Sequence, residues 1–206
     1  MIRQRTISLL RTVDDRQVPL AGEYAVDRAH TSVEFVVRHM MISNVRGRFR
    51  EVSGTITVDE VPERSHVEVD INAVSIDTGI GERDRHLRSP DFFDVERHPT
   101  LRFKSTKVEP VPSGAWVVTG DLTIFDVTRP VTLQLSFEGA NASATGEERI
   151  AFSAVAEVNR EDWGLTWNQA LEAGGVLIGK KARIEVNLEA VAIRPPLTTS
   201  GTAIVG

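Results

Sequence analysis

The side chains best suited to chemistry are five histidines: His30, His39, His66, His86 and His98. Histidine serves as a general base or a metal ligand near neutral pH, but it needs a partner held at a fixed position. No two of these histidines are four residues apart, which is the spacing of two ligands on one face of a metalloprotease helix. We therefore predict no metal site.

Asp27, His30 and Ser32 carry the three groups of a nucleophilic triad. On a strand, His30 and Ser32 share a face simply because they are two residues apart, so a local hydrogen-bond network explains them better than a triad. The chain has no cysteine and no Gly-x-Ser-x-Gly motif. The glycines Gly79 and Gly81 lack the following glycine spacing of a dinucleotide site. These observations favour a protein that is not an enzyme and has no cofactor.

The run Arg83, Asp84, Arg85 and His86 has two interpretations. The first is a knot of ion pairs and hydrogen bonds that fixes this segment to the rest of the fold, because buried polar groups usually satisfy one another. The second is a polar mouth that holds the head group of a ligand. Both can hold together.

Composition limits the partners of the chain. It has 206 residues, of which 41% are hydrophobic and 26% are charged, as in an ordinary globular domain. The formal net charge of −5 gives no sign of a nucleic-acid-binding surface. No segment approaches the ~20 apolar residues of a membrane span, so we expect no integral membrane association. The N-terminus lacks the apolar stretch of a secretory signal, which predicts a cytoplasmic protein.

The dominant period of the sequence is two, which indicates strands with one dry and one wet face. About eight such segments are separated by turn signals, and they cover residues 31–39, 54–59, 66–72, 101–108, 115–125, 131–137, 150–159 and 182–190. No helices alternate with these strands, so a parallel α/β sheet is disfavoured. Eight strands can close around an interior that holds one small ligand. The predicted fold is all-β: a single extended eight-stranded antiparallel β-barrel, lipocalin-like, with a short helical insertion near 80–94.

Two segments interrupt the alternation. Residues 79–94 form the longest insertion, where a helical turn over 84–87 is followed by Phe92 and Phe93. Residues 163–171 hold Trp163 and Trp167, which form either a local hydrophobic plug or a lid that faces a ligand. We expect residues 1–20 to be a weakly ordered N-terminal arm, residues 21–193 to be the barrel domain, and residues 194–206 to be a flexible tail.

Several motifs, in order along the chain, resemble the YceI-like family. They are DRAHTS at 27–32, FVVRH at 35–39, VRGRF at 45–49, SIDTG at 75–79, RDRHLRSPDFFD at 83–94, FKST at 103–106, TGDLTI at 119–124, VTRPV at 127–131, and NR at 159–160 with WG at 163–164. The resemblance runs from about residue 22 to residue 191. It implies a lipocalin-like barrel whose tunnel binds a polyisoprenoid or an isoprenoid-quinone precursor. It also implies no firmly attached enzymatic activity and a homodimer.

The resemblance and the alternation together predict the ligand-binding residues. An apolar tunnel needs apolar walls and a few polar groups near one end. The predicted walls are Val33, Phe35, Val37, Phe49, Ile56, Val69, Ile71, Phe103, Leu122, Ile124, Leu133, Leu135 and Phe152. Phe92, Phe93, Trp163 and Trp167 are predicted to close the mouth, and His39, Arg83 and His86 supply polar groups. Alternation alone does not separate tunnel walls from a filled core.

The expected function is non-catalytic binding, transport or storage of a long apolar isoprenoid. One alternative is a hydrolase or isomerase that acts on an apolar substrate inside the barrel, which requires a titratable pair such as His39 with a carboxylate. Another is a structural or stress-linked dimer module with a filled core.

Overall fold

A computed structural model of the chain describes residues 9–143, 146–172 and 174–193. Within these residues the regular structure is one α-helix, three short 3-10 helices and thirteen β-strands. The helix is α1 (Gly81–Arg88). The strands are β1 (Leu10–Val13), β2 (Arg16–Pro19), β3 (Gly22–Val26), β4 (Ser32–His39), β5 (Ser43–Phe49), β6 (Val52–Val58), β7 (His66–Asn72), β8 (Ile76–Asp77), β9 (Thr100–Pro110), β10 (Trp116–Ile124), β11 (Val127–Ala142), β12 (Glu148–Asn159) and β13 (Ile178–Ala192).

The main sheet closes into an eight-stranded antiparallel barrel. The strand order around the barrel is β12, β11, β10, β9, β7, β6, β3 and β13, and β13 pairs back onto β12. Closure matters because an open sheet would leave a row of unpaired backbone groups at each edge. The all-β, eight-stranded fold with one short helix that the sequence predicts is confirmed.

Two strand positions of the barrel are each formed by two consecutive strands. β13 pairs with β3 through Ala190–Ala192 and with β4 through Ile178–Asn187, so β3 and β4 are one strand position interrupted at residues 27–31. β4 pairs with β5, and β3 pairs with β6, which makes β5 and β6 the neighbouring position. The short β8 extends the sheet beyond β5.

Alternation along each strand separates the interior from the surface. In β7, Val69 and Ile71 are buried, while Glu68 and Asp70, which alternate with them, pair with basic side chains of β9. The same rule holds in β10, where Leu122 and Ile124 are buried. Because successive side chains point to opposite faces, each strand contributes every second residue to the interior.

Helix α1 lies in the insertion that the sequence predicts near 80–94, and it is longer than the predicted turn over 84–87. It is packed beside β8, and turns follow it up to residue 97. None of the helices in the described part of the chain has the length and apolar character needed to cross a membrane.

The N-terminal segment differs from its prediction. Instead of the weakly ordered arm expected over residues 1–20, β1 and β2 form an antiparallel hairpin in which Val18 is buried. Its turn residues Asp14 and Asp15 have φ angles of 47° and 61°. A two-residue turn with positive φ at both positions suits a tight hairpin. Residues 1–8 and the predicted tail at 194–206 lie outside the described residues.

Candidate functional site

A cavity of about 450 Å³ lies inside the barrel. The inward face of β13 lines it from Ile178 to Leu188. With a rise of ~3.3 Å per residue and a strand tilt of about 40°, this stretch covers roughly 25 Å along the barrel axis. The volume falls within the roughly 300–1,000 Å³ of cavities that enclose small ligands. The cavity is therefore long and narrow, and it suits an extended molecule.

Every residue that the sequence predicts as a ligand contact lines this cavity. They are Val33, Phe35, Val37, His39, Phe49, Ile56, Val69, Ile71, Arg83, His86, Phe92, Phe93, Phe103, Leu122, Ile124, Leu133, Leu135, Phe152, Trp163 and Trp167. The structure brings them together from nearly all barrel strands and from the α1 segment. Their role in ligand binding remains a prediction.

Many lining residues were not predicted from the sequence, and they include two whole regions. One is the inward face of β13, although the alternation over 182–190 was evident. The other is the far end of the cavity, where the N-terminal hairpin contributes side chains. The missed residues include Val18, Pro19, Trp116, Ile178, Ala182, Ile184, Val186 and Leu188.

Two glycines give aromatic rings room to lie against the tunnel wall. A Cβ atom on Gly47 would lie 2.3 Å from Cζ of Phe35, and one on Gly120 would lie 2.4 Å from Cζ of Phe103. Each ring covers the bare backbone of a neighbouring strand, a packing known to stabilise glycines in sheets. The rings thereby form a smooth apolar surface, and Phe35 continues it to Phe49 at a centroid distance of 6.0 Å.

The end of the cavity next to α1 is lined by side chains that reach the surface. We call this end the mouth, defined by His39, His86, Trp167 and Leu177, all of which line the cavity and are partly exposed. At the opposite end the lining includes Val18, which is 3% exposed, and Trp116, which is 7% exposed. His66, at the start of β7, also lines this end and is exposed.

A hydrogen-bond knot fixes the α1 segment beside the mouth. Asp84 is buried, and its Oδ1 accepts hydrogen bonds from the backbone N–H of Thr78 at 2.9 Å and from the Thr78 hydroxyl at 2.5 Å. Arg83 donates from Nε to the Thr78 hydroxyl at 2.7 Å and from Nη2 to the Thr78 carbonyl at 2.9 Å. These hydrogen bonds form the knot that the first interpretation of residues 83–86 predicts. Arg83 also lines the cavity, as the second interpretation, a polar mouth for a ligand head group, requires.

His86 is held at the mouth by a carboxylate and two aromatic rings. Its Nε2 lies 3.0 Å from Oδ2 of Asp91. Its ring lies edge-on to Trp167 and Phe92, at centroid distances of 4.6 Å and 5.0 Å. The imidazole therefore presents a fixed polar edge within an apolar rim.

Arg160 is a buried cation that the sequence analysis did not select. Its Nε donates to the carbonyl of Gly179 at 3.0 Å, and Nη1 donates to the carbonyl of Leu165. Nη2 is buried and has no hydrogen-bond partner among the described residues. Burial lowers the pKa of the guanidinium, and the negative charge of Glu161 opposes that effect. Arg160 also lines the cavity, and hydropathy patterns give no signal for a buried arginine.

Trp163 and Trp167 have different surroundings. Trp163 is 2% exposed, and its indole N–H donates to the carbonyl of Leu122 at 2.9 Å, so it plugs the core beneath the mouth. Trp167 is half-buried and packs against Phe92 with ring centroids 5.3 Å apart. Of the two, only Trp167 is positioned as part of the rim.

Asp27, His30 and Glu189 form a polar cluster on the outside of the break between β3 and β4. One ligand atom from each lies within 4.8 Å of the others, as in a cation site. However, Nη1 of Arg149 lies 2.5 Å from a carboxylate oxygen of both Asp27 and Glu189. A guanidinium already bridges these two carboxylates, so the cluster is an ion-pair network. His30 joins it through Asp27 at 2.9 Å.

The closed barrel encloses a tunnel that is lined mainly by apolar side chains, as in barrels that bind apolar ligands. Residues 24–190 match the sequence model of the YceI-like domain, and the chain belongs to this family. The match begins after the N-terminal hairpin.

Curated relatives agree with this assignment. A UPF0312 protein of Pseudomonas putida strain W619 is 36% identical over 149 residues, which is 71% of this chain and 78% of the relative. A UPF0312 protein of Vibrio parahaemolyticus is 38% identical over 148 residues, which is 70% of this chain and 78% of the relative.

Solved structures share the fold. BcnA of Burkholderia cenocepacia superposes with a TM-score of 0.70 at 21% identity, over 80% of this chain and 98% of that chain. A YceI protein of Campylobacter jejuni gives 0.64 at 28% identity, over 76% of this chain and 90% of that chain. A domain from Saccharophagus degradans, described as polyisoprenoid-binding, gives 0.62 at 17% identity over 82% and 98%.

Proposed function

We propose that this protein binds a long apolar isoprenoid in its tunnel, without catalysis, for transport or storage. The observation that carries the proposal is the cavity itself, which is lined by apolar side chains over roughly 25 Å of the barrel axis. Burial of apolar area at about 25 cal/mol per Å² favours a ligand that fills such a space. The polyisoprenoid-binding description of the S. degradans domain supports the same ligand class.

In this proposal the tail of the ligand lies in the tunnel and its polar end stays at the mouth. Arg83 and His86 line the cavity there and offer hydrogen-bond donors. A polar end at the mouth stays close to water, so it need not lose its hydration in the apolar interior.

The alternatives receive less support. A filled-core module is disfavoured because the barrel holds a cavity of ligand size. A hydrolase or isomerase needs a titratable pair that converges on the substrate. His39 lines the cavity, but no carboxylate among the described residues forms an ion pair with it. His86 also lines the cavity and pairs with Asp91, but Asp91 is exposed and is not among the lining residues.

Native mass spectrometry of the purified protein, followed by lipid identification after denaturation, tests the proposal. We expect a stoichiometric isoprenoid to leave with the protein. A protein that emerges empty, and that after delipidation takes up no polyprenol in a titration, would contradict it.

A matched pair of variants connects binding to the tunnel. Ala182 lines the cavity, whereas Thr132 is exposed on the outer face of β11. We expect Ala182→Phe to fill the bore and weaken polyprenol binding by roughly tenfold or more, because the displaced tail loses buried apolar area. Thr132→Phe adds a similar aromatic group outside and should leave the titration unchanged. Equal effects of both substitutions would argue against a tunnel site.

The proposal also includes a cytoplasmic homodimer. Light scattering coupled to gel filtration measures the oligomeric state, and cell fractionation measures the location. A monomer would contradict the proposed homodimer, and a protein recovered outside the cytoplasm would contradict the proposed location. Neither result would contradict the proposed ligand binding.

A further inference from the structure

We infer that the β1–β2 hairpin is the end wall of the tunnel and sets the longest tail that the tunnel accepts. This inference rests on the proposed function and deepens it, because it concerns ligand length. The hairpin lies outside residues 24–190, which match the family.

The hairpin presents apolar side chains to the tunnel opposite the mouth. Val18 and Pro19 are buried and line the cavity. Trp116 at the start of β10 lines the same end. A tail that enters at the mouth therefore meets this group of side chains when it has passed through the barrel.

β1 and β2 form a separate two-stranded sheet, so strand pairing does not join the hairpin to the barrel. Side-chain contacts hold it in place instead. On one flank Arg11 donates to the carbonyls of Glu60, at 2.6 Å, and of Asp59, just beyond the end of β6. Its Nε also donates to the carbonyl of Pro19 at 3.1 Å, which ties the two strands of the hairpin together. The side chain of Arg11 is only 18% exposed.

On the other flank Arg16 anchors the hairpin to the turn between β9 and β10. Its Nη2 donates to the carbonyl of Val111 at 2.9 Å, and its guanidinium carbon lies 5.5 Å from the centre of the Trp116 ring. A guanidinium over an indole face adds a cation–π attraction. The two arginines thus fasten the hairpin across the barrel end from β6 to the β9–β10 turn.

A fixed wall predicts a sharp dependence of affinity on chain length. Each buried methylene is expected to raise affinity by about fourfold until the tail reaches Val18 and Pro19. A longer tail must buckle in the tunnel or leave carbons in water at the mouth. The gain should therefore stop at a defined length, the cut-off.

The test is a titration of delipidated full-length protein with a homologous series of polyprenols that differ by one isoprene unit. Arg11→Ala with Arg16→Ala releases both anchors, and we expect the cut-off to move to longer chains. Val18→Phe thickens the wall, and we expect the cut-off to move to shorter chains. Gln17→Ala alters an exposed residue of the same hairpin and should leave the cut-off unchanged.

Opposite shifts in the two variants would support the wall, since general damage to the fold does not lengthen the accepted chain in one variant and shorten it in another. If the double variant does not fold, as judged by circular dichroism, Val18→Phe alone decides the question. Normal binding with an identical cut-off in wild type and every folded variant would overturn the inference and leave the proposed function intact. Failure of wild type to bind any member of the series would instead overturn both.

Discussion

Gly120 is a residue at which the tunnel wall tolerates little change. An added Cβ would lie 2.4 Å from Cζ of Phe103 and 2.6 Å from the carbonyl oxygen of Lys104, and the second of these atoms belongs to the backbone. We expect Gly120→Ala to lower the free energy of unfolding by about 1–3 kcal/mol, because a strand must shift to make room. Gly81→Ala is the control, since no atom lies within 4 Å of its added Cβ. Urea denaturation measures the free energy of unfolding of both variants, and an equal loss in Gly120→Ala and Gly81→Ala would contradict this explanation.

Arg160 allows a second prediction at this scale. It donates to two carbonyls from a buried position. Arg160→Met leaves those acceptors without donors, so we expect a loss of about 1–3 kcal/mol in the free energy of unfolding. Arg129 also donates to a carbonyl, that of Asp162, but it is exposed. Arg129→Met should therefore change stability little, and a comparable loss there would show that burial is not the cause.

Many wall residues could be predicted from the sequence, because a period of two fixes which side of a strand faces inward. Phe35 and Leu133 followed from that rule alone. Arg160 could not, since nothing in its neighbourhood marks a charged residue as buried. Val18 was missed for another reason: its partner strand is only four residues long, and the turn contains no glycine.

At the scale of elements, the ion-pair network around Arg149 joins the break between β3 and β4 to β12 and β13. Hydrogen bonds from Arg149 and His30 lower the pKa of Asp27 from 3.8 to about 2. Because the folded-state pKa is the lower one, the stability that Asp27 contributes is present above about pH 4. It is lost as the pH falls toward 2.

We expect Asp27→Asn to remove that contribution. The variant should be less stable than wild type at pH 7, and the difference should shrink between pH 4 and pH 2. Thermal unfolding across this range measures the effect. Asp121→Asn, at an exposed position of β10, is the control and should keep the wild-type pH dependence. A constant difference between Asp27→Asn and wild type down to pH 2 would contradict the assignment.

The bend between β3 and β4 also shows where sequence reasoning at this scale stops. The alternation over 31–39 gave β4, but β3 is only five residues long and its partners lie far away in the chain. Short strands owe their stability to packing and pairing more than to intrinsic propensity. Their presence therefore depends on contacts that the local sequence does not contain.

At the scale of the whole molecule, a ligand that binds only the closed barrel must stabilise it. We expect delipidated protein at a free polyprenol concentration of a hundred times Kd to gain about 2.7 kcal/mol in the free energy of unfolding. Differential scanning calorimetry measures this as a rise in Tm. Ala182→Phe should show a much smaller rise under the same conditions. No rise in wild type, at a concentration where binding is verified, would mean that the ligand also binds the unfolded chain.

The pairing of β13 with β4 has a consequence for biosynthesis. Arg183 lies opposite Val36, so this contact joins positions 147 residues apart. Contacts of such sequence separation form late and slow the folding of β proteins. While the chain emerges from the ribosome, β3 and β4 must wait for β13 with their inner faces uncovered. The barrel therefore cannot close around its interior until β13, the last strand of the described chain, has been synthesised.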